Sequence, residues 1–316
     1  MLSNLRYHIL YALWYTLSLL HLRVLYVLSD IIFVIVYYVV GYRRKVVRSN
    51  LERCFPEKDK SERKGIERRF YRFFCDYLVE TLKMMSMSKE QIRRRVVFKG
   101  MEEVNRLMAE GTPIGLYLGH VGNWEWLTTI DYWMPDHMVS AHLYHPLKDK
   151  VMDRLFLRLR AKHHSVGIPM KETLRRLVML KKQCKNFIVG YISDQNPKWQ
   201  NIHHWLTFFG QETPVFTGTE RIMKSTHQAF AYGDVYRVRR GYYECHIHIL
   251  DPHPENVPDW QLTDRYFVEL EKTIRRAPHL WLWTHKRWKR TREEFDRHFE
   301  VVNGKVRNKE KEQKND

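Results

Sequence analysis

The string Gly119-His-Val-Gly-Asn-Trp-Glu125 contains the residue types and spacing with the clearest chemical potential. It follows the apolar run 113–118, which is bounded by turn formers and is predicted to be a buried strand. A histidine directly after such a strand lies where open α/β sheets place their ligands. If the chain turns at Gly122 and then starts a helix, Glu125 falls in the first helical turn and can fold back toward the imidazole of His120.

The chemistry that such a pair supports is general-base catalysis. The imidazole of His120 takes a proton from a hydroxyl, while the carboxylate of Glu125 fixes the tautomer and stabilises the imidazolium. The string supplies no nucleophile of its own, so the hydroxyl belongs to the substrate. The alternative is a histidine turn that only satisfies the end of a strand.

The residues around the histidine also indicate a place for substrate. Glycines on both sides of His120 give a sharp turn with exposed backbone, so Gly122 and the following Asn123 are candidate substrate contacts. The spacing is not that of an HExxH zinc site, and the pattern implies no metal.

The elements that must position these residues alternate between strand and helix, which predicts an α/β fold with a central mixed sheet flanked by helices. The strand at 187–193 ends at Asp194, and two alternating runs around 239–241 read as a hairpin that extends the sheet. The other predicted elements are a strand at 139–144 and helices at 148–163, 171–183 and 261–276. The region 43–110 is predicted to be helical and basic.

An apolar stretch dominates residues 9–40, and its cleanest part, 24–40, rises roughly 25 Å as a helix, the lower limit for crossing a bilayer. We expect a membrane-anchoring helix rather than a buried soluble one, although it can either span the bilayer or lie in its interface. The basic cluster at 43–48 then predicts that the remainder faces the cytoplasm. The expected organisation is an anchor at 1–42, a catalytic domain at 43–303 and a disordered polar tail at 304–316.

The charge balance predicts anionic partners. The chain of 316 residues has 54 Lys and Arg against 36 Asp and Glu, a formal net charge of +18. Such a field attracts nucleic acid, an acidic membrane, a phosphorylated substrate or an acidic protein. A non-catalytic basic protein is therefore a rival hypothesis, but the basic residues form no single stripe and no nucleic-acid motif is present. The four scattered cysteines, Cys184 among them, favour a reducing compartment.

Several strings, taken in order, resemble the lipid A biosynthesis late acyltransferases of the lysophospholipid acyltransferase superfamily. The resemblance runs from the N-terminal apolar segment to about residue 290. The strings are Tyr42-Arg-Arg, Asn50-Leu-Glu-Arg-Cys-Phe-Pro-Glu57, Gly119-His-Val-Gly-Asn-Trp-Glu125, Ser193-Asp-Gln-Asn-Pro197, Phe208-Phe-Gly210 and Pro278-His-Leu-Trp-Leu-Trp-Thr-His-Lys-Arg-Trp-Lys289.

This resemblance implies an inner-membrane enzyme whose site faces the cytoplasm. It would move a fatty acyl chain, usually from acyl carrier protein, onto a hydroxyl of a phosphorylated glycolipid, the lipid A precursor, without a cofactor. Another glycolipid or an aminolipid is the alternative acceptor. In the family's HxxxxE motif the histidine is the general base and the acid its partner, which here are His120 and Glu125.

The resemblance also implies an arginine on the helix after the second strand and an aspartate at the end of the third. The candidates are Arg158 or Arg160, and Asp194. Each has a simpler interpretation, a solvated helix face for the arginines and a strand-ending turn for the aspartate. The aromatic and basic segment that ends at Lys289 is interpreted as an amphipathic edge near anionic headgroups rather than a nucleic-acid surface.

Overall fold

The computed structural model describes residues 2–183, 186–302 and 304–309 of an α/β protein whose central mixed sheet is flanked by helices. Cys184 and positions 310–316 of the expected tail lie outside the described residues. The helices are α1 Leu2–Leu19, α2 Leu22–Val34, α3 Arg44–Cys54, α4 Lys60–Lys83, α5 Lys89–Arg95, α6 Met101–Ala109, α7 Trp124–Leu127, α8 Lys150–Ala161, α9 Thr173–Lys182, α10 Gly218–Ser225, α11 Gln261–Arg276 and α12 Arg292–His298. The strands are β1 Val96–Lys99, β2 Ile114–Leu118, β3 Val139–Tyr144, β4 Val166–Pro169, β5 Phe187–Ile192, β6 His204–Phe208, β7 Gln211–Val215, β8 Ala229–Arg239, β9 Tyr242–Asp251, β10 Phe299–Val302 and β11 Lys305–Asn308.

Within the described residues the central sheet has seven strands in the order β1-β9-β8-β2-β5-β3-β4. Every pairing is parallel except that of β8 with β9, so the hairpin reverses direction at one side of an otherwise parallel sheet. The central strands β2 and β5 are in register with Leu118 opposite Ile192. Because the chain leaves both strands at the same edge, the residues that follow them meet there.

The sequence-based expectation of an α/β fold with a mixed sheet is confirmed. The strand at 139–144, the hairpin and the helix at 261–276 were predicted with nearly their observed bounds. The predicted helical region 43–110 also contains the edge strand β1, which was missed. This strand, Val96–Lys99, directly follows the basic helix α5. Because it has only four residues, its alternation is too brief to distinguish it from the helix before it. The four-residue edge strand β4 was missed for the same reason.

The expected disordered tail is wrong at its beginning. Lys305–Asn308 form β11, which pairs antiparallel with Phe299–Val302 of β10. Val306 stands opposite Val301 in this ladder. The segment has the polar composition of a disordered tail. The ladder forms nevertheless, because the backbone hydrogen bonds of a hairpin do not depend on apolar side chains.

The N-terminal apolar region forms two helices that meet at Leu20 and His21. The second continues as a π-helical turn to Val40, and Leu22–Val40 is long and apolar enough to cross a membrane, with a mean hydropathy of 2.0. One face of it packs on α4, since Leu22, Leu25, Ser29, Phe33 and Tyr37 are buried at helical spacing. The opposite face is exposed and apolar; its residues are Val24, Val27, Leu28, Ile31, Val34, Ile35, Tyr38, Val39 and Val40.

A buried carboxylate joins this apolar helix to the hairpin. Asp76 on α4 accepts a hydrogen bond of 2.7 Å from Ser29 of α2. The same carboxylate pairs with Arg237 and Arg240 of β8 and its turn, each at 2.6 Å. Arg240 also reaches Asp30 of α2 at 2.7 Å. Ser29 and Asp30 of the apolar helix are therefore paired with polar groups of the protein body.

The basic cluster after the apolar helix is partly neutralised in the fold. The guanidinium groups of Arg44 and Arg48 pair with the buried Glu67 at 3.0 Å and 2.9 Å. Arg43 instead donates to the backbone carbonyl of Thr284 at 3.0 Å. These contacts fix the start of α3 against the body of the protein.

His163 is a fully buried histidine that connects the end of α8 to α4. Its Nδ1 lies 2.7 Å from the hydroxyl of Tyr132 and its Nε2 lies 3.1 Å from the carbonyl oxygen of Met84. Burial lowers the pKa of His163 from 6.5 to about 4. The imidazole is therefore held neutral in the fold at pH values where it is charged in the unfolded chain.

We expect acid to destabilise the protein before its carboxylates titrate. As pH falls from 6.5 towards 4, the unfolded chain binds a proton at His163 that the folded chain does not, so the free energy of unfolding decreases by about 3 kcal/mol for this residue. Unfolding measured in detergent between pH 7 and 4 should show a shallower decline in His163→Gln. The same change at the exposed His137 should leave the slope unchanged, and an equal effect of both variants would contradict the assignment.

Candidate active site

His120 and Asp194 meet because they occupy equivalent positions after neighbouring parallel strands. His120 is two residues beyond Leu118, Asp194 is two residues beyond Ile192, and those two strand ends are paired. The side chain of Asp194 is 2% exposed, whereas that of His120 is 20% exposed. The carboxylate thus lies behind the imidazole, at the carboxyl edge of the sheet.

The carboxylate of Asp194 accepts three hydrogen bonds. Its Oδ1 lies 2.6 Å from Nδ1 of His120, and its Oδ2 accepts the backbone N–H of His120 at 3.0 Å and the indole N–H of Trp281 at 2.6 Å. Burial by itself raises the pKa of Asp194, but the charge and hydrogen bond of His120 and the hydrogen bond of Trp281 outweigh it and lower the pKa to about 2. The carboxylate is therefore ionised at neutral pH.

An ionised carboxylate can only accept, so Nδ1 of His120 carries the hydrogen in this pair. The neutral imidazole then has its lone pair on Nε2, the nitrogen that a general base uses. Nε2 lies 3.4 Å from the side-chain amide nitrogen of Gln195. A substrate hydroxyl that reaches Nε2 must share or displace this contact.

Residues 278–290, here called the strap, cross over the histidine turn. Val121 and Trp281 form an antiparallel bridge, and the backbone N–H of Leu282 donates to the carbonyl of His120 at 3.1 Å. The side-chain amide of Asn50 on α3 holds the strap from outside, since it donates to the carbonyls of Trp283 and His285. The backbone of His120 is thus fixed between the sheet and the strap.

Gly122 and Asn123, the expected substrate contacts, make their contacts within the protein. Gly122 has a φ of 63°, and a Cβ there would lie 2.7 Å from Cγ1 of Val235, so the turn requires glycine. Asn123 is fully buried and caps α7, since its Oδ1 accepts the backbone N–H of Trp126 at 3.1 Å. Its Nδ2 donates to Glu80 at 2.9 Å.

Glu80 of α4 supports the histidine turn from below, a role that sequence reasoning missed. Its buried carboxylate accepts hydrogen bonds from Asn123, from the hydroxyl of Tyr243 at 2.8 Å and from the hydroxyl of Tyr26 at 2.9 Å. Its backbone carbonyl accepts the indole N–H of Trp126 at 3.0 Å. Burial raises the pKa of Glu80. The sequence signal for this role was a carboxylate three residues after Tyr77, on the apolar face of a helix.

Glu125 faces Arg160 rather than the imidazole. Both of its oxygens accept from the guanidinium, with Nη2 at 2.7 Å and Nε at 2.8 Å, in a bidentate pair whose carboxylate is buried. The expected orientation of the imidazole by Glu125 is therefore not what the structure has, because Asp194 holds that nitrogen. Two neighbouring ring contacts complete this wall: Trp124 stacks on Tyr77 at 4.1 Å and meets the ring of His120 edge-on at 5.2 Å.

The structure also resolves the register of the arginines on α8. Arg160 points to Glu125, whereas Arg158 donates to the hydroxyl of Tyr7 and lies 4.3 Å above the ring of Tyr11 on α1. Arg158 therefore contacts the first helix, whereas Arg160 contacts Glu125 of the HxxxxE string. Within the described residues, no group of three or more His, Cys, Asp or Glu side chains forms a candidate metal site.

Comparisons with known proteins identify the family of this chain. The model of the bacterial lipid A biosynthesis acyltransferase family matches residues 1–290. The lipid A biosynthesis palmitoleoyltransferase of Escherichia coli K12 is 24% identical over 249 residues, which cover 78% of this chain and 79% of that protein. A lipid A biosynthesis acyltransferase of Shigella flexneri matches with the same identity and coverage. The chain is an acyltransferase and belongs to the bacterial lipid A biosynthesis acyltransferase family.

Proposed function

We propose that this enzyme transfers a fatty acyl chain from an acyl thioester to a hydroxyl of a lipid A precursor, with His120 as the general base. The observation that carries the proposal is the buried Asp194 carboxylate at 2.6 Å from Nδ1 of His120. It leaves Nε2 as the basic nitrogen of a partly exposed ring. Membership of the acyltransferase family supplies the reaction class.

The reaction follows from this arrangement. Nε2 of His120 takes the proton of the acceptor hydroxyl as its oxygen attacks the thioester carbonyl carbon. Asp194 stabilises the imidazolium that forms, because its negative charge lies against Nδ1–H. The tetrahedral intermediate then expels the thiolate, which takes the proton back from Nε2, and the products are an ester and a free thiol. No step requires a metal.

Acyl carrier protein is the proposed donor and a phosphorylated lipid A precursor the proposed acceptor. The support is the family membership and the formal net charge of +18, which suits an acidic carrier protein and a phosphorylated lipid. The name of the Escherichia coli relative specifies palmitoleoyl transfer for that protein.

The proposed location is the inner membrane, with the catalytic domain facing the cytoplasm. The exposed apolar face of Leu22–Val40 provides the anchor. The basic cluster that follows it at 43–48 favours the cytoplasmic side. This arrangement brings the histidine turn, which contacts the helix through Glu80 and Tyr26, close to a lipid acceptor.

Replacement of the catalytic pair should abolish or greatly slow transfer. His120→Ala removes the base, and Asp194→Asn removes the charge that stabilises the imidazolium. We expect each to lower kcat by roughly a hundredfold to ten-thousandfold. Transfer is measured with an acyl carrier protein thioester and a purified precursor, and the lipids of cells that carry each variant are profiled by mass spectrometry. Wild-type rates in His120→Ala would disprove the mechanism, and an acyl chain lost from a lipid other than lipid A would change the acceptor.

Glu125 is proposed to act in the site through Arg160. Both oxygens of Glu125 are engaged by that guanidinium, and the pair lies beside Trp124, whose ring contacts His120. The pair thus fixes the wall of the site next to the base. Its removal affects transfer by misplacing the acceptor or the ring, rather than by removing a proton acceptor.

Glu125→Ala should lose transfer and should also lower the free energy of unfolding by about 3–5 kcal/mol, because Arg160 is left as an unpaired, largely buried charge. The double variant Glu125→Ala with Arg160→Met removes that unpaired charge. We expect it to regain most of the stability without regaining activity. Full activity in the double variant would show that transfer does not require the pair of Glu125 and Arg160.

Membrane association should depend on the exposed face of the apolar helix. The double substitution Val27→Asp with Ile31→Asp places two charges on that face, each of which costs about 2.5–3.5 kcal/mol at the centre of a bilayer. We expect it to shift the protein from sedimenting lipid vesicles to the supernatant. Val268→Asp on α11, at a similarly exposed valine, is the matched control. Equal binding of all three proteins would contradict the proposed anchor.

A further inference from the structure

The second half of the strap concentrates positive charge. Lys286, Arg287, Lys289 and Arg290 fall within five residues, directly after the part of the strap that crosses the histidine turn. In the described part of the chain, none of these four side chains lies within ion-pair distance of a carboxylate. Arg160, by contrast, forms an ion pair with Glu125.

Arg287 is the most unusual member of this group because its charge is buried. Its side chain is 1% exposed, and only Nη2 has a partner, the carbonyl of Pro214 at 2.8 Å. Its Nε and Nη1 are buried without a hydrogen bond. Burial lowers the pKa of Arg287 to about 10, so the guanidinium stays charged at neutral pH. The charge of Asp194 partly compensates this cation without forming an ion pair, and the remaining positive charge favours an anion at the nearby surface.

The exposed members of the group also repel one another. Burial and then the nearby charges of Arg290 and Lys286 lower the pKa of Lys289. Burial lowers the pKa of Arg290, and the negative charge of Glu294 opposes this only in part. Cations held together in this way are stabilised when an anion binds between them.

The position of the group relative to the reacting nitrogen is fixed by Asn196. Its Oδ1 accepts Nη1 of Arg290 at 2.8 Å, and its Nδ2 donates to the carbonyl of Arg287 at 2.6 Å. Asn196 directly follows Gln195, whose amide lies 3.4 Å from Nε2 of His120. The Cα atoms of Gln195 and Asn196 are about 3.8 Å apart, as in any two consecutive residues. The residue that holds the cationic group is therefore the chain neighbour of the residue that contacts the base.

We propose that Lys286, Lys289 and Arg290 bind a phosphate group of the acceptor lipid and so place its hydroxyl at His120. The inference deepens the proposed function and rests on it. A phosphate bears up to two negative charges and several acceptor oxygens, which match the guanidinium of Arg290, held in place through Nη1 by Asn196, and the point charges of two lysines. Arg287 contributes from below as a fixed positive charge that the ligand does not touch.

Binding can be tested without turnover in protein that carries His120→Ala. The probe is a purified, phosphorylated lipid A precursor in detergent micelles, compared with the same lipid after phosphatase treatment. We expect Lys286→Gln with Lys289→Gln to raise the Kd for the phosphorylated lipid by about tenfold. The difference in affinity between the two lipids should shrink by the same factor. Lys286→Arg with Lys289→Arg retains the charges and should retain the affinity.

The matched control is Lys171→Gln with Lys182→Gln. It removes the same charge from two exposed lysines, one in the turn before α9 and one at the end of α9. An equal rise of Kd in the control would mean that only net charge matters and would overturn the site. An unchanged Kd in Lys286→Gln with Lys289→Gln would overturn it as well. If that variant instead weakened only the binding of the acyl carrier protein thioester, the bound phosphate would be that of the donor and the proposal would be wrong. Because binding is measured without transfer, a failure of the proposed function shows separately, as activity that survives His120→Ala.

Discussion

The geometry of the site depends on one buried negative charge. Asp194 is almost completely buried and is stabilised by the hydrogen bonds that it accepts from the histidine and from Trp281. A buried carboxylate with fewer partners would protonate and release the ring. The parallel pairing of β2 with β5 is what brings the two residues together, so the central sheet determines the catalytic tautomer.

The strap makes this arrangement possible by closing the site from above. It donates Trp281 to the carboxylate and Leu282 to the backbone of the histidine turn, while Asn50 holds it from α3. Strings that are far apart in the sequence, around residues 50, 120, 194 and 281, thus form one hydrogen-bonded unit. Their joint presence marks a shared structural requirement, because each supplies a partner that another one needs.

Much of the fold and part of the site were predictable from the sequence. Periodicity and turn formers identified the central strands and the hairpin, and both strand-ending residues, His120 and Asp194, were named. Their pairing was not predictable, since it depends on which strand lies beside β2, and that order is tertiary information. The pairing of Glu125 with His120 was expected from closeness in sequence, but a helix start that directs Glu125 towards α8 places it against Arg160 instead.

The contact of Tyr26 with Glu80 connects the apolar helix to the histidine turn. Glu80 receives hydrogen bonds from that helix and from Asn123, which caps the turn between the base and Glu125. A shortened protein that begins after residue 42 would therefore expose the edge of α4 and leave this carboxylate one donor short. Removal of the N-terminus would therefore loosen the histidine turn, and we expect the smallest intact catalytic unit to include the apolar helix.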